Sequence, residues 1–228
     1  MKRLVKENVF KELNKDTYYY LGLLATDGSI YENRVELSFK EGDEDILYRF
    51  RNYLKSESTV RKRVHNKKQG VYNAYRLAFR NQEIVDYLYT LGITSNKTYD
   101  LKLNLDFNFD LLRGIIDGDG CFITKTDKRC HRMTIITASI KFRLQIAEFL
   151  DKYNIYYSFE NRYAKHFYLH IRQTESLLKL IEYLYNDTQT YMCRKFVTAQ
   201  NIRNSIYRSR QIRGTSVRNP ELSLNDND

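Results

Sequence analysis

Two aspartates stand out chemically, because each follows an apolar run of helical spacing and directly precedes a glycine. Segment 20–28 reads YLGLLATDG and segment 112–120 reads LRGIIDGDG, so Gly22, Asp27 and Gly28 recur as Gly114, Asp119 and Gly120, each displaced by 92 residues. Self-similarity at a fixed offset speaks to architecture before any local assignment is made. Gly22 and Thr26 lie one helical turn apart, as do Gly114 and Gly118, so each helix carries a stripe of small residues on one face. Two such faces can pack backbone to backbone, which would bring the helix C-termini together and with them Asp27 and Asp119. Each carboxylate would then sit beside the negative end of a helix dipole and beside the other charge. A hard divalent cation relieves that conflict; Mg²⁺, or Mn²⁺ in its place, is held by one or two carboxylates with phosphate oxygens and water. The arrangement suits metal-assisted phosphodiester hydrolysis. Asp117 either adds charge near the metal or serves helix packing and hydrogen bonding.

The elements that must hold these acids run in the same order in each half. Tyr18 to Asp27 reads as a helix, with Gly28 as a stop free to take positive φ. SIYE and RVELSF form a hairpin about Asn33, and Asp45 to Leu54 is an amphipathic helix. Residues 58–65 and 71–80 read as strands around the turn NKKQG, and Gln82 to Leu91 closes the half as a helix. The second half repeats this as Phe109–Asp119, 121–127, 131–138, Ile140–Tyr153, 155–162, 166–172 and Glu175–Tyr185. The expected class is α+β, a pseudo-two-fold repeat of αββαββα. Repeats at 1–93 and 108–206 flank a linker at 94–107. A further helix covers 190–206, and a basic then acidic tail at 207–228 is expected to be unstructured.

Charge points the same way. Among 228 residues there are 38 Lys+Arg against 28 Asp+Glu, a net +10 that favours a polyanionic partner. With 42% hydrophobic residues the chain can build a core, which excludes a basic disordered arm. Strand alternation turns Val35, Leu37 and Phe39 inward and Arg34, Glu36, Ser38 and Lys40 outward. Arg61, Arg63 and His65 oppose Val60 and Val64, while Arg76 and Arg80 oppose Tyr75, Leu77 and Phe79. Between Ser58 and Gln82 stand seven Lys/Arg and no acid. A twisted antiparallel ribbon of this kind can enter the major groove of DNA. Lys125, Arg132, Thr134, Ser158, Glu160, Arg162, His166, Tyr168, His170 and Arg172 are the outward candidates of the second half. Unlike residues at equivalent places imply a long asymmetric target. From Arg194 to Arg218 seven more Lys/Arg occur without an acid, either as a grip on the DNA backbone or as a mobile tail.

The two motifs and the shared order of elements resemble the LAGLIDADG homing endonuclease family in its single-chain, two-motif form. The first motif departs from the consensus at its sixth position, where Ala25 stands for the family's Asp; the second keeps it as Asp117. The resemblance implies a monomeric, sequence-specific double-strand DNA endonuclease that cuts across the minor groove. Its two sheets would form a DNA-binding saddle around the central motif helices, with Asp27 and Asp119 as catalytic metal ligands. Lys97 in TSNKTY and Lys195 in MCRKFV occupy places where the family carries a basic residue near the scissile phosphates, Arg194 being an alternative to Lys195. Ordinary phosphate contact or a solvated helix end stays open for both lysines. Gly42-Asp43 and Ala138-Ser139 are expected to organise water near the metals. Two other functions remain: an RNA maturase that binds its intron RNA, and a non-cleaving DNA-binding regulator.

Several classes are disfavoured. No apolar run approaches the roughly 20 residues of a membrane span, and no apolar core follows the basic N-terminal residues as a secretory signal requires. The expected location is intracellular, in the cytoplasm of a bacterium or phage-infected host, with an organelle as the alternative. Cys121, Cys130 and Cys193 are odd in number and scattered, which suits reduced thiols better than a disulfide framework or a zinc site. DGDG is no EF-hand, because the twelfth position from Asp117 is Lys128. The start at Met1 and the lack of a terminal His-Asn pair argue for an intron-encoded or free-standing protein over an intein.

Overall fold

The computed structural model describes residue 5 and residues 7–67, 70–124, 130–162 and 166–216. A short 3-10 turn at Val9–Lys11 leads into α1 (Lys15–Thr26), β1 (Ser29–Tyr31), β2 (Arg34–Lys40), α2 (Asp45–Tyr53), β3 (Arg61–Lys67), β4 (Gly70–Arg80) and α3 (Gln82–Thr90). The second half follows as α4 (Phe109–Asp119), β5 (Gly120–Ile123), β6 (Arg132–Thr137), α5 (Ile140–Lys152), β7 (Ser158–Arg162), β8 (His166–Ile171) and α6 (Thr174–Tyr185), and α7 (Cys193–Ser216) ends it. The sheets are antiparallel with matching orders, β1-β2-β4-β3 and β5-β6-β8-β7. The α+β class and the repeated order of elements are therefore as the sequence indicates.

Asparagines start three helices: Asn14, Asn81 and Asn108 accept the backbone N–H of Thr17, Ile84 and Leu111 at 2.9, 3.0 and 2.8 Å. At the other end of α1 the expected mechanism is replaced. Among the described glycines only Gly42, Gly70 and Gly92 have positive φ, so Gly28 does not stop α1 by a left-handed turn. A Cβ at Gly28 would fall 2.8 Å from Leu24 Cα, and one at Gly120 2.7 Å from Ile116 Cα. Both glycines let the chain fold back hard against the last helical turn.

The centre of the molecule is the α1–α4 pair, buried from Tyr19 to Ala25 and from Leu111 to Asp117. A Cβ on Gly22 would lie 2.8 Å from Ile115 N, and one on Gly114 3.0 Å from Gly22 Cα, so the helices touch through their backbones. The sheets cover this pair with Val35, Leu37, Leu77 and Phe79 on one side and Met133, Ile135, Leu169 and Ile171 on the other.

Two expectations shift at the periphery. Val64, assigned to an inner face, is 61% exposed, because β3 is an edge strand and the helices of its half pack under β2 and β4. The final helix runs to Ser216, past the expected end at 206, and residues 217–228 lie outside those described. Among the described residues no helix is long and apolar enough to cross a membrane.

Candidate active site and nucleic-acid interface

Asp27 caps the C-terminus of α1 and Asp119 is the last residue of α4. Close packing at the glycines brings them together: a Cβ on Gly118 would lie 3.0 Å from Asp27 Oδ2. Both residues reach the surface, and among the described residues neither carboxylate has a hydrogen-bond or ion-pair partner. The crowded helix ends still strip enough water to matter. Desolvation, then the charge of Asp119, pushes the Asp27 carboxyl up to about 6 against the pull of Lys195 and Lys97. Asp119 is raised for the same first reason and opposed by the same lysines. Two adjacent, open carboxylates suit a cation that completes its shell from substrate and water. Among the described residues no group of three or more His, Cys, Asp or Glu could hold a metal ion.

The two candidate lysines point at helix ends. Lys195 is 5% exposed, and its ammonium donates to the carbonyls of Ile116, Asp117 and Gly118 at 2.7, 2.5 and 3.0 Å. All three of its protons are matched by the last turn of α4, where a cation opposes the helix dipole. Lys97 donates to the Gly28 carbonyl just beyond α1. Burial lowers the pKa of each, against the raising effect of the nearby aspartates. Arg194, the alternative to Lys195, is instead bidentate to Asp43, with Nε–Oδ1 at 3.1 Å and Nη2–Oδ2 at 2.9 Å. The water-organising role expected for Gly42-Asp43 and Ala138-Ser139 has no support in this geometry. Asp43 is buried in that ion pair, and the Ser139 hydroxyl donates to Leu101 O at 2.8 Å while capping α5.

Asp117 resolves in favour of packing. It is buried, and its Oδ2 accepts from the Tyr19 hydroxyl at 2.8 Å and from Met192 N at 2.7 Å. Burial lifts its carboxyl to about 6, while these bonds and the charges of Lys195 and Arg113 hold it down. Arg113 has no place in the sequence-derived site, yet it ties α4 to the end of α6 and the segment that follows it. It is 1% exposed and donates to Thr190 O, Leu184 O and Asp110 Oδ1 at 2.8, 2.9 and 2.7 Å. The available signal was an arginine in the apolar run LRGII that precedes the two aspartates.

On the first sheet the register places Arg34, Glu36, Ser38 and Lys40 of β2 on one face with Arg76 and Arg80 of β4 and Arg61, Arg63 and His65 of β3. His65 stacks on Tyr72 with centroids 4.8 Å apart, and the Ser38 hydroxyl donates to Tyr75 O. The second sheet differs. Thr134 and His170, expected to face outward, are 5% and 4% exposed and bonded to each other at 2.8 Å, with His170 Nε2 3.0 Å from Glu160. Cross-strand pairing consumes their polar atoms, so they brace the face rather than offer atoms to a ligand. His166 and Arg172 are exposed and Arg132 and Tyr168 half-buried. Lys125 and the side chain of Arg162 lie outside the described residues.

Residues 106–185 match the model of the LAGLIDADG-like domain. No curated protein matches the sequence. Among solved structures, the homing endonuclease I-WcaI bound to its DNA recognition sequence aligns at 12% identity and TM-score 0.58, over 83% of this chain and 86% of that one. The I-LtrWI LAGLIDADG homing endonuclease bound to target DNA aligns at 12% and 0.58, over 87% and 92%. Full-length DUF199/WhiA from Thermatoga maritima aligns at 13% and 0.52, over 94% and 72%. Residues 106–185 are thus similar to the LAGLIDADG-like domain, and the two halves together have, in one chain, the fold seen in solved LAGLIDADG homing endonucleases.

Proposed function

We propose that this protein is a sequence-specific double-strand DNA endonuclease that hydrolyses phosphodiester bonds with a divalent metal, Mg²⁺ or Mn²⁺, anchored by Asp27 and Asp119. The observation that carries this reading is the pair of adjacent carboxylates, open to the surface and unpartnered among the described residues, at the ends of two helices locked together by glycine. A metal bound there would lower the pKa of a water nucleophile and neutralise charge on the leaving oxygen. The chain's own residues do the rest. Lys195 and Lys97 offset the carbonyl ends of the motif helices and so reduce the cost of holding two carboxylates beside them. The arginines of the first sheet draw in and orient the phosphate backbone. The unlike second sheet supports a long asymmetric target, read by one monomer. Two of the fold relatives named above are described as bound to DNA, which supports duplex DNA as the partner.

The test is cleavage, with Mg²⁺, of plasmid DNA carrying the sequence that flanks the gene's insertion point. Wild type should linearise it, and Asp27→Asn and Asp119→Asn should bind it without cutting. Tight binding by wild type with no nick in Mg²⁺ or Mn²⁺ would sink the nuclease reading in favour of a non-cleaving regulator. Promotion of intron RNA splicing without DNA cleavage would favour a maturase.

A further inference from the structure

Among the described residues Glu36 is the only acid on the outward face of the first sheet, and it is not solvated on its own. Both its oxygens lie within reach of Arg76 Nη1, at 3.2 and 3.1 Å, and Oε2 also accepts from Arg34 Nη2. The register explains the meeting. Glu36 pairs across the sheet with Ser29 on β1 and Ala78 on β4, two short side chains that leave room above them. Arg34 stands two residues back on the same strand, and Arg76 stands diagonally on β4, two residues before Ala78. Both therefore lean into the same space from opposite sides. Arg76 stands directly opposite Arg61 on β3, a like-charge pairing that by itself disfavours a defined rotamer. Its side chain is nevertheless only 14% exposed, and that of Arg34 is 32% exposed. Glu36 uses one terminal nitrogen of each guanidinium. Among the described residues the other donors of both forks have no partner.

We infer that Glu36 is a positioning residue for specificity: it holds Arg34 and Arg76 as a pre-aligned pair that reads guanine edges in the target. This rests on the reading above that the face meets duplex DNA. Arg pairs with O6 and N7 of guanine through two parallel donors, and holding the guanidinium in place beforehand spares the ordering of a long side chain on binding. A lone acid on a basic face lowers affinity for every sequence, because it repels phosphate. Specificity compensates only if the arginines it fixes gain more on the right base than the acid loses on all of them.

The test is selection of binding sites from random duplexes in EDTA, so that cleavage plays no part, with wild type, Arg34→Ala, Arg76→Ala, Glu36→Ala and Glu36→Gln. Wild type should select guanine at the positions that Arg34→Ala and Arg76→Ala relax. Glu36→Ala should relax those same positions, cutting the guanine preference by roughly tenfold, while its affinity for random duplex rises. Glu36→Gln, which keeps one acceptor and the fold, should fall between. Uniformly tighter binding by both Glu36 variants with the guanine preference intact would overturn the inference, leaving Glu36 as a mere charge offset. Wild type that binds duplexes without any sequence preference would overturn it together with the sequence-specific reading on which it rests.

Discussion

Tyr19 of α1 donates its hydroxyl to Asp117 of α4 at 2.8 Å, a hydrogen bond between the two halves made at the buried centre of the molecule. Tyr19→Phe leaves Asp117 with Met192 N as its remaining donor, and loss of a bond to a buried carboxylate should cost about 1–3 kcal/mol. The pH dependence follows from sign. A carboxyl at about 6 in the folded state binds its proton more tightly than in the unfolded chain, so its stabilising contribution is full below the ordinary carboxylate range. That contribution is lost as pH rises to about 6. Removing the Tyr19 donor should extend the loss to higher pH, which urea melts across pH 4 to 8 would record.

Asp27 and Asp119 lie at adjacent helix ends, and burial together with the charge of Asp119 raises the Asp27 carboxyl despite the opposing pull of Lys195 and Lys97. Asp27→Asn or Asp119→Asn should therefore raise the melting temperature by a few degrees above pH 7 and have little effect near pH 4. Wild type should regain stability with Mg²⁺ through ligand linkage, and the variants should not. Because cation binding competes with the proton on Asp27, the Mg²⁺ effect in thermal shift should fade as pH drops through about 6.

The backbone contact at Gly22 and Gly114 admits no side chain. Gly22→Ala or Gly114→Ala must push the helices apart, and we expect a loss of about 3 kcal/mol or more in denaturant melts. Gly118→Ala instead meets the Thr26 side chain and Asp27 Oδ2. It should cost less stability but displace Asp27, with a proportionally larger loss of cleavage.

Arg194 anchors buried Asp43 from 151 residues away in sequence. Arg194→Ala leaves that charge unpaired and should destabilise by about 2 kcal/mol, less than for a fully buried pair because the arginine is half exposed. Adding Asp43→Asn should recover part of the loss, and a double-mutant cycle measures the coupling.

Duplex binding should weaken steeply with salt. About six phosphate contacts give a log–log slope near −5, measurable by titration between low and physiological salt. A slope near zero would remove the basic sheet face from the interface.

The order of elements, the sheet pattern and the pairing of Asp27 with Asp119 were legible in the chain, because periodicity and a repeat at one offset are properties of sequence alone. So was the identity of the outward residues on β2 and β4, where alternation along a half-buried strand has period two. The tertiary structure decided what those residues are bonded to. Thr134 and His170 alternate as surface positions should, yet they meet across the sheet and are buried. Lys195 has the composition of a phosphate contact and is used as a helix cap. Gly28 has the position of a helix stop and acts through close approach. In each case the residue type and its spacing restrict only the chain's own local geometry. Thr134, His170 and Lys195 take partners from segments tens of residues away, while Gly28 closes on Leu24 of its own helix, a contact set by how the chain folds back and not by residue type.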